Sequence, residues 1–458
     1  MKKVVLLFIS LYLIFKGLVF SQYPAYVWPD TSQMGQYMSR TMDLLQNSDP
    51  SNKTTVRILV YGQSINAQDW WQDTKTYLET LYPNANIDMR NLSIGGYQSD
   101  KLWKTSYFDV LPFYPDLVLF HDYGGFALKK RIAQIIRENT SAEILWRSSH
   151  FHQADASLDD EHDTYIPQAC NEYHLQFGSF RDEWVNYLDV NNLAPADLLS
   201  DNIHLNAQGK FLMSEMHKPY LQYRGKWESD PDSLMTEFSI GSDISWNADT
   251  LMVDFYGNRC DLVFDDALAG SSNDTMYFFL DGVKIKDIKD ICRHTRPYKD
   301  NLCFALCMGT PIRLQNDVPL VEEEWTLTYT SVNDDHSRFT FEVEGSVTGP
   351  DGSGSNSADF ISNSGRVRIQ KEDWDIYGAH LYFGVTISNG YQIKWKTIAQ
   401  GQNKLVPAQR GDGIENVETI FQGVANTRHK LKIVCQGDKS SLKSVRAYRP
   451  LLHRKYYY

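Results

Sequence analysis

The chain is short of positive charge. Its 458 residues hold 45 Lys and Arg against 57 Asp and Glu, a formal net charge of −12. Phosphate backbones are gripped by clustered Lys and Arg, so nucleic acid is disfavoured as a partner. It is also short of long apolar runs. Val4 to Phe15 is mainly apolar and follows Lys2 and Lys3. Spanning a bilayer takes about 20 such residues, and Lys16 interrupts this run. Residues 1–21 therefore predict a secretory signal cut after Ser21, not a lasting anchor. The mature protein is expected to be exported, to periplasm or medium, with no stable membrane insertion. No cysteine sits near the cut, which argues against a lipid-anchored mature end. Cysteine is sparse too: Cys170, Cys260, Cys292, Cys303, Cys307 and Cys435. Export permits disulfides among them, and buried free thiols are the competing expectation. No histidine pair with zinc-like spacing accompanies Cys303 and Cys307, so a metal site there is not expected.

What is present is ordinary for a soluble globular protein, with 42% hydrophobic and 22% charged residues. The length allows two or three domains with large cores. The stretch that organises the first of them is Val56 to Trp71, VRILVYGQSINAQDWW. Its apolar, β-branched opening predicts a buried strand ending at Gly62. Gln63 and Ser64 follow, then a helix from about Asp69. A serine placed where a strand gives way to a helix stands at the sheet's carboxyl edge, where open α/β sheets hold ligands. Far downstream, Ser200 to Gly209 reads SDNIHLNAQG. A serine hydroxyl needs an imidazole to take its proton, and the imidazole works better when a carboxylate fixes its tautomer. Asp201 and His204 can supply both groups from one short loop. Each signal alone is weak, and together they are much less expected by chance.

The two blocks together resemble the SGNH (GDSL-like) hydrolases, in which the first carries the nucleophile and the last is D-x-x-H. The GQS form looks like the sialate O-acetylesterase type of carbohydrate esterase. The resemblance covers roughly residues 53–223. It implies Ser64 as nucleophile, His204 as general base and Asp201 as its orienting acid. Asn91 to Gly96 (NLSIGG) resembles the second block, which implies an oxyanion hole from the amides of Ser64 and Gly96, with Gly95 as the fallback. No metal or organic cofactor is implied. At the third block the chain departs. The family places an asparagine after the third strand, and here His121-Asp122-Tyr123-Gly124-Gly125-Phe126 has none. One missing oxyanion donor can cost on the order of 100-fold in rate. His121 and Asp122 are read as a structural loop, with a charged substrate rim as the alternative. His150, His152 and His162 stand among acids over 148–165, which predicts a solvated loop beside the site rather than a metal centre.

The remaining pattern predicts an α/β domain over 22–224 with a doubly wound parallel sheet. Helices are expected over Ser32–Leu45, Trp70–Tyr82, from about Ser99, Leu128–Glu138 and Ala207 to about Lys218, with Asn206 as the last one's cap, and Phe180–Leu193 reads as helical or mixed. Strands are expected at Ile87–Ile94, Asp116–Phe120 and Glu143–Arg147. Residues 225–235 read as a linker. Beyond it, short alternating strands predict an all-β region over 236–458, a β-sandwich or jelly roll. Two stretches, 236–285 and 415–458, resemble a galactose-binding-like jelly roll, which leaves 286–414 as an inserted β domain. Strands are expected there at Ala379–Val385 among others, with a turn at Gly349–Gly354. The implied activity is an esterase removing O-acyl, most often O-acetyl, groups from carbohydrate. The alternatives are a short-chain lipase or thioesterase, and a non-catalytic glycan-binding surface protein, for which the absent asparagine speaks.

Overall fold

The computed structural model describes residues 22–225, 234–270, 274–297 and 321–452. The signal segment, most of the linker, Cys303 and Cys307 lie outside the described residues. The first region alternates helices and strands: α1 (Ser39–Gln46), β1 (Thr55–Gly62), α2 (Ser64–Ala67), α3 (Trp70–Leu81), β2 (Asn86–Asn91), α4 (Ser99–Phe113), β3 (Leu117–His121), α5 (Phe126–Asn139), β4 (Glu143–Arg147), α6 (Ala156–Asp160), α7 (Ile166–Tyr173), β5 (Gln176–Gly178), α8 (Phe180–Asn191) and α9 (Ala207–His217). The five strands run parallel in the order β2-β1-β3-β4-β5.

Both faces of this sheet are covered, and the period of two in the strands explains how. Val56, Ile58 and Val60 pack with Trp70, Leu78, Trp184, Leu212 and Met216 from α3, α8 and α9. Leu59 and Tyr61 point the other way, to Leu102 and Val110 of α4 and Ile132 and Ile136 of α5. A strand buried on both sides reads as a continuous apolar run, which is why β1 is visible in the sequence. Its order places a topological switch between β1 and β3, where such sheets open a crevice at their carboxyl ends. Ser64 follows β1 at that switch.

The second region is built mainly from antiparallel strands: β6 (Met235–Ser239), β7 (Thr250–Phe264), β8 (Thr275–Leu280), β9 (Val283–Lys284), β10 (Cys292–His294), β11 (Glu323–Val332), β12 (Phe339–Gly345), β13 (Gly349–Ser355), β14 (Phe360–Ile361), β15 (Arg368–Ile369), helix α10 (Ile376–Phe383), β16 (Gln392–Ala399), β17 (Lys404–Leu405), β18 (Asn416–Gln436) and β19 (Leu442–Tyr448). One sheet runs β17-β8-β18-β7-β19-β6, with β9 beside β8, and another runs β10-β16-β11-β12-β13. The chain leaves the first sheet after β9, builds the second, and returns at β17. Each has its own apolar core, around Leu251, Phe278 and Ile433 in the first and Trp325, Phe341 and Trp395 in the second.

Several expectations are corrected. The helix expected from Ser32 begins only at Ser39, because residues 32–37 form turns with Gly35 at φ +87°. The second strand stops at Asn91, whose Oδ1 accepts from Ser93 N at 2.9 Å and turns the chain. The strand expected at Ala379–Val385 is helix α10, closed by Gly384 in the left-handed conformation, φ +67°. The turn expected at Gly349–Gly354 is β13, paired with β12. In place of the short strands expected after the linker, β7 is one strand of 15 residues, facing the still longer β18 of 21. Cys170, Cys260, Cys292 and Cys435 are buried free thiols.

Candidate active site

The carboxyl end of β1 approaches that of β3 so closely that only glycine fits. A Cβ at Gly62 would stand 1.8 Å from the His121 carbonyl oxygen. The chain then turns into α2, which starts with Ser64. Three ties fix this short helix. Asn66 Nδ2 donates to Tyr61 O at 2.9 Å. Arg147 Nη2 donates to Asn66 Oδ1 at 2.6 Å. Trp70 Nε1 donates to Ile65 O at 2.8 Å. Arg147 is buried, and burial pushes its pKa down to about 9.

The loop before α9 brings the other two groups. Asp201 Oδ1 accepts from the amides of Ile203, at 2.8 Å, and His204, at 2.7 Å. Its Oδ2 accepts from His204 Nδ1 at 2.7 Å. These bonds, the His204 amide first, pull the Asp201 carboxyl down to about 2. With Nδ1 carrying the proton, Nε2 is the free acceptor, and it stands 2.9 Å from Ser64 Oγ. The structure thus brings Ser64, His204 and Asp201 together across 140 positions of sequence. Asn206 caps α9 through Gly209 N at 3.0 Å.

Three further residues hold this arrangement; the sequence marked Gln63 only as part of the GQS block and His150 only as one of a loop of histidines, and did not mark Gln68. Gln68 donates through Nε2 to Leu205 O at 2.8 Å and accepts from Leu205 N at 3.1 Å. It therefore clips the serine segment to the residue after His204. His150 Nε2 stands 2.9 Å from Ile203 O. Burial lowers the His150 pKa to about 3, so its single N–H sits on Nε2 and donates to that carbonyl. Gln63 caps α2: its Oε1 accepts from Ser64 N and lies against Ser64 Oγ. A serine has one hydroxyl proton, so Oγ donates to His204 or to Gln63, never to both. Gln63 also covers the Ser64 amide, which an oxyanion would need.

Gly95 lies against the serine; a Cβ there would be 3.9 Å from Ser64 Cβ. Gly96 follows with φ +75°, and the amide of Ile94 donates to Gly62 O at 2.9 Å, holding this turn to the end of β1. His121 and Asp122 are no charged rim. Both are buried, and burial holds the Asp122 carboxyl well above the usual carboxylate range. His121 Nε2 instead lies 3.1 Å from Ser149 Oγ. The loop expected to be solvated over 148–165 is likewise corrected. His150 and His162 are buried, α6 and a π-helical turn at Glu161–Tyr165 occupy its second half, and His162 Nε2 stands 2.9 Å from Asp182. Of the acids that suggested solvation, Asp160 and Asp163 are exposed and Asp155 and Asp159 half-buried, while Glu161 is buried against Lys129 and His150 and His162 pack inward. Among the described residues no group of three His, Cys, Asp or Glu side chains could hold a metal ion. No described helix is long and apolar enough to cross a membrane.

No family model matches the sequence, and no curated protein matches it. The chain is similar to a number of solved structures, among them the following three. One is described as a GDSL-like lipase from Parabacteroides merdae, with 18% identity and a TM-score of 0.33, over 37% of this chain and 98% of that one. Another is an acetylxylan esterase from Geobacillus stearothermophilus, with 14% identity and a TM-score of 0.34, over 39% of this chain and 99% of that one. A third is a two-domain esterase active on acetylated mannans, with 11% identity and a TM-score of 0.36, over 92% of this chain and 98% of that one.

Proposed function

We propose that this protein is an exported serine esterase of the SGNH (GDSL-like) type that removes O-acetyl groups from carbohydrate. The observation that carries the reading is the hydrogen-bonded line from Ser64 Oγ through His204 to Asp201. In this mechanism His204 Nε2 takes the Ser64 proton as Oγ attacks the ester carbonyl. The ionised Asp201 stabilises the imidazolium. The amides of Ser64 and of the Gly95–Gly96 turn, Gly96 by its place in the block, receive the developing oxyanion. As the ester C–O bond breaks, His204 protonates the departing sugar oxygen, which leaves as a hydroxyl, and Ser64 keeps the acetyl group. Water, deprotonated by the same ring, releases acetate and restores the serine. The oxyanion can form only when Gln63 Oε1 leaves the Ser64 amide, so a turn of the Gln63 side chain belongs to the cycle. Carbohydrate as substrate class rests on the resemblance of Gly62-Gln63-Ser64 to the carbohydrate esterase block. Export rests on the pattern of residues 1–21. The segments 236–285 and 415–458 are proposed as one module, interrupted by 286–414.

Acetate release from acetylated xylan, pectin and sialoglycans tests the substrate class; comparing acetyl with octanoyl esters separates the lipase reading. One observation favours a non-catalytic glycan-binding protein: Gln63 occupies the serine amide while the third block lacks its asparagine. Glycan binding that Ser64→Ala leaves intact, with no ester turnover by the native chain, would establish that alternative.

A further inference from the structure

A second recess opens between the α/β region and the antiparallel strands. It measures about 800 Å³, within the size range of small-ligand sites. Its wall includes Arg57 of β1, Arg90 of β2, Asp109 and Phe113 of α4, Arg259 of β7, and Arg296. Arg57 precedes the carboxyl end of β1 by five residues, roughly 17 Å of strand. The recess is therefore separate from Ser64.

Four guanidinium groups against one carboxylate is unusual in a chain of net charge −12. Two of the four are committed. Arg259 grips Asp261 with bonds of 2.9 and 2.7 Å, and its guanidinium lies 4.8 Å from the ring centres of Tyr114 and of Tyr448. Arg90 forks onto Asp88 at 2.9 and 2.7 Å and lies 4.7 Å from the Phe113 ring centre. The other two are less fully engaged. Arg296 Nε pairs with Asp109 at 3.4 Å, yet Arg296 Nη1 is buried without an acceptor among the described residues. Arg57 is half-buried; against burial its charge, after that of Arg259, helps to hold the Asp261 carboxyl down, but its side chain has no hydrogen bond or ion pair among the described residues. A buried donor without an acceptor is costly, and a bound anion would remove that cost. Guanidinium forks match planar, multi-oxygen anions, and the Phe113 ring offers an apolar face beside them.

We propose that this recess binds an acidic saccharide, one bearing carboxylate or sulfate groups, with Arg57 and Arg296 as its anion contacts. The saccharide part rests on the esterase reading above; the anion part rests on the arginines alone. The test is calorimetric titration of the full chain carrying Ser64→Ala, so that nothing is turned over. The probes are tri-galacturonate, a sulfated galactose trisaccharide, and neutral xylotriose. At least one acidic probe is expected to bind one to one, more weakly as salt rises. Arg57→Gln is expected to weaken that binding tenfold or more and to leave xylotriose unaffected. The acidic probe that binds tells carboxylate from sulfate. Arg57 makes no side-chain hydrogen bond among the described residues, so its replacement should leave the circular dichroism unchanged, and Arg57→Lys, which keeps the charge near Asp261, is the control for fold. Failure of both acidic probes to bind overturns the proposal, as does binding that Arg57→Gln and the double variant Arg57→Gln/Arg296→Gln leave unaltered. Acetate release by the native chain is measured in parallel. Release without acidic binding removes only this inference, and acidic binding without release removes only the esterase reading.

Discussion

At the scale of single residues the account turns on which group holds which proton. Asp201 is pulled down to about 2, so its carboxylate is charged at every pH at which an esterase would be assayed. Asp201→Asn is therefore expected to lower kcat/KM on the order of 100-fold or more at neutral pH. A kcat/KM left within a few fold of the native value would contradict the assignment. Gln63 gives a sharper prediction. Its Oε1 faces the Ser64 amide, where the proposed mechanism puts the oxyanion. Gln63→Glu would put a negative charge there with almost no change in shape. Two like charges about 4 Å apart near a protein surface repel by roughly 4 kcal/mol. A fall in kcat of at least 100-fold, at unchanged Tm, is the expected result. These two residues also show what the sequence could and could not reveal. Asp201 and His204 are three apart on one loop, so their pairing is local and readable. Gln63's contact with the Ser64 amide depends on a side-chain conformation that no spacing encodes.

At the scale of elements, the loop that carries Asp201 and His204 is held to the Ser64 segment by side chains, not by a backbone ladder. Gln68 makes two bonds to Leu205. Gln68→Ala should loosen His204 relative to Ser64, lowering kcat about tenfold with KM nearly unchanged, as steady-state kinetics on p-nitrophenyl acetate would show. Helix α4 carries a different signature. Burial raises Asp109 to about 6, against Arg296. The folded state then holds a proton that the unfolded state gives up near 3.8, so ionising Asp109 costs stability as pH rises through that window and above it. Asp109→Asn should gain stability relative to the native chain between pH 4 and pH 8, by on the order of 2 kcal/mol. Urea denaturation at the two pH values measures it. Elements with long apolar periodicity, such as β1, β4 and α8, were readable because burial on one or both faces repeats in the sequence. Helix α10 was not. Its eight residues are rich in aromatic side chains that also suit a strand, and its packing beside α4, through Lys101 and Asp375 at 2.6 Å, is a tertiary choice. The buried histidines over 148–165 were misread for a related reason: alternating acids and rings look solvated until one side is seen to pack.

At the scale of the whole molecule, the two regions are stitched at many points. Tyr114 donates to Asn258 Oδ1 at 2.6 Å, and Asn258 Nδ2 donates to Asn139 O at 2.8 Å. Gln422 Nε2 donates to Pro112 O at 2.9 Å. The amide of Lys53, just before β1, donates to Gly413 O at 2.8 Å, and the amide of Glu415 returns to Lys53 O at 2.9 Å. The α/β region and the strands after it are therefore expected to unfold in one calorimetric transition, and Asn258→Ala to broaden or split it. The most direct measurement is peptide-mapped mass spectrometry after treatment with a fluorophosphonate, which modifies only a serine activated by its neighbours. A single adduct on Ser64, lost in His204→Ala, together with acetate release lost in Ser64→Ala, is the predicted result. An unlabelled Ser64, or undiminished acetate release from Ser64→Ala, would contradict it.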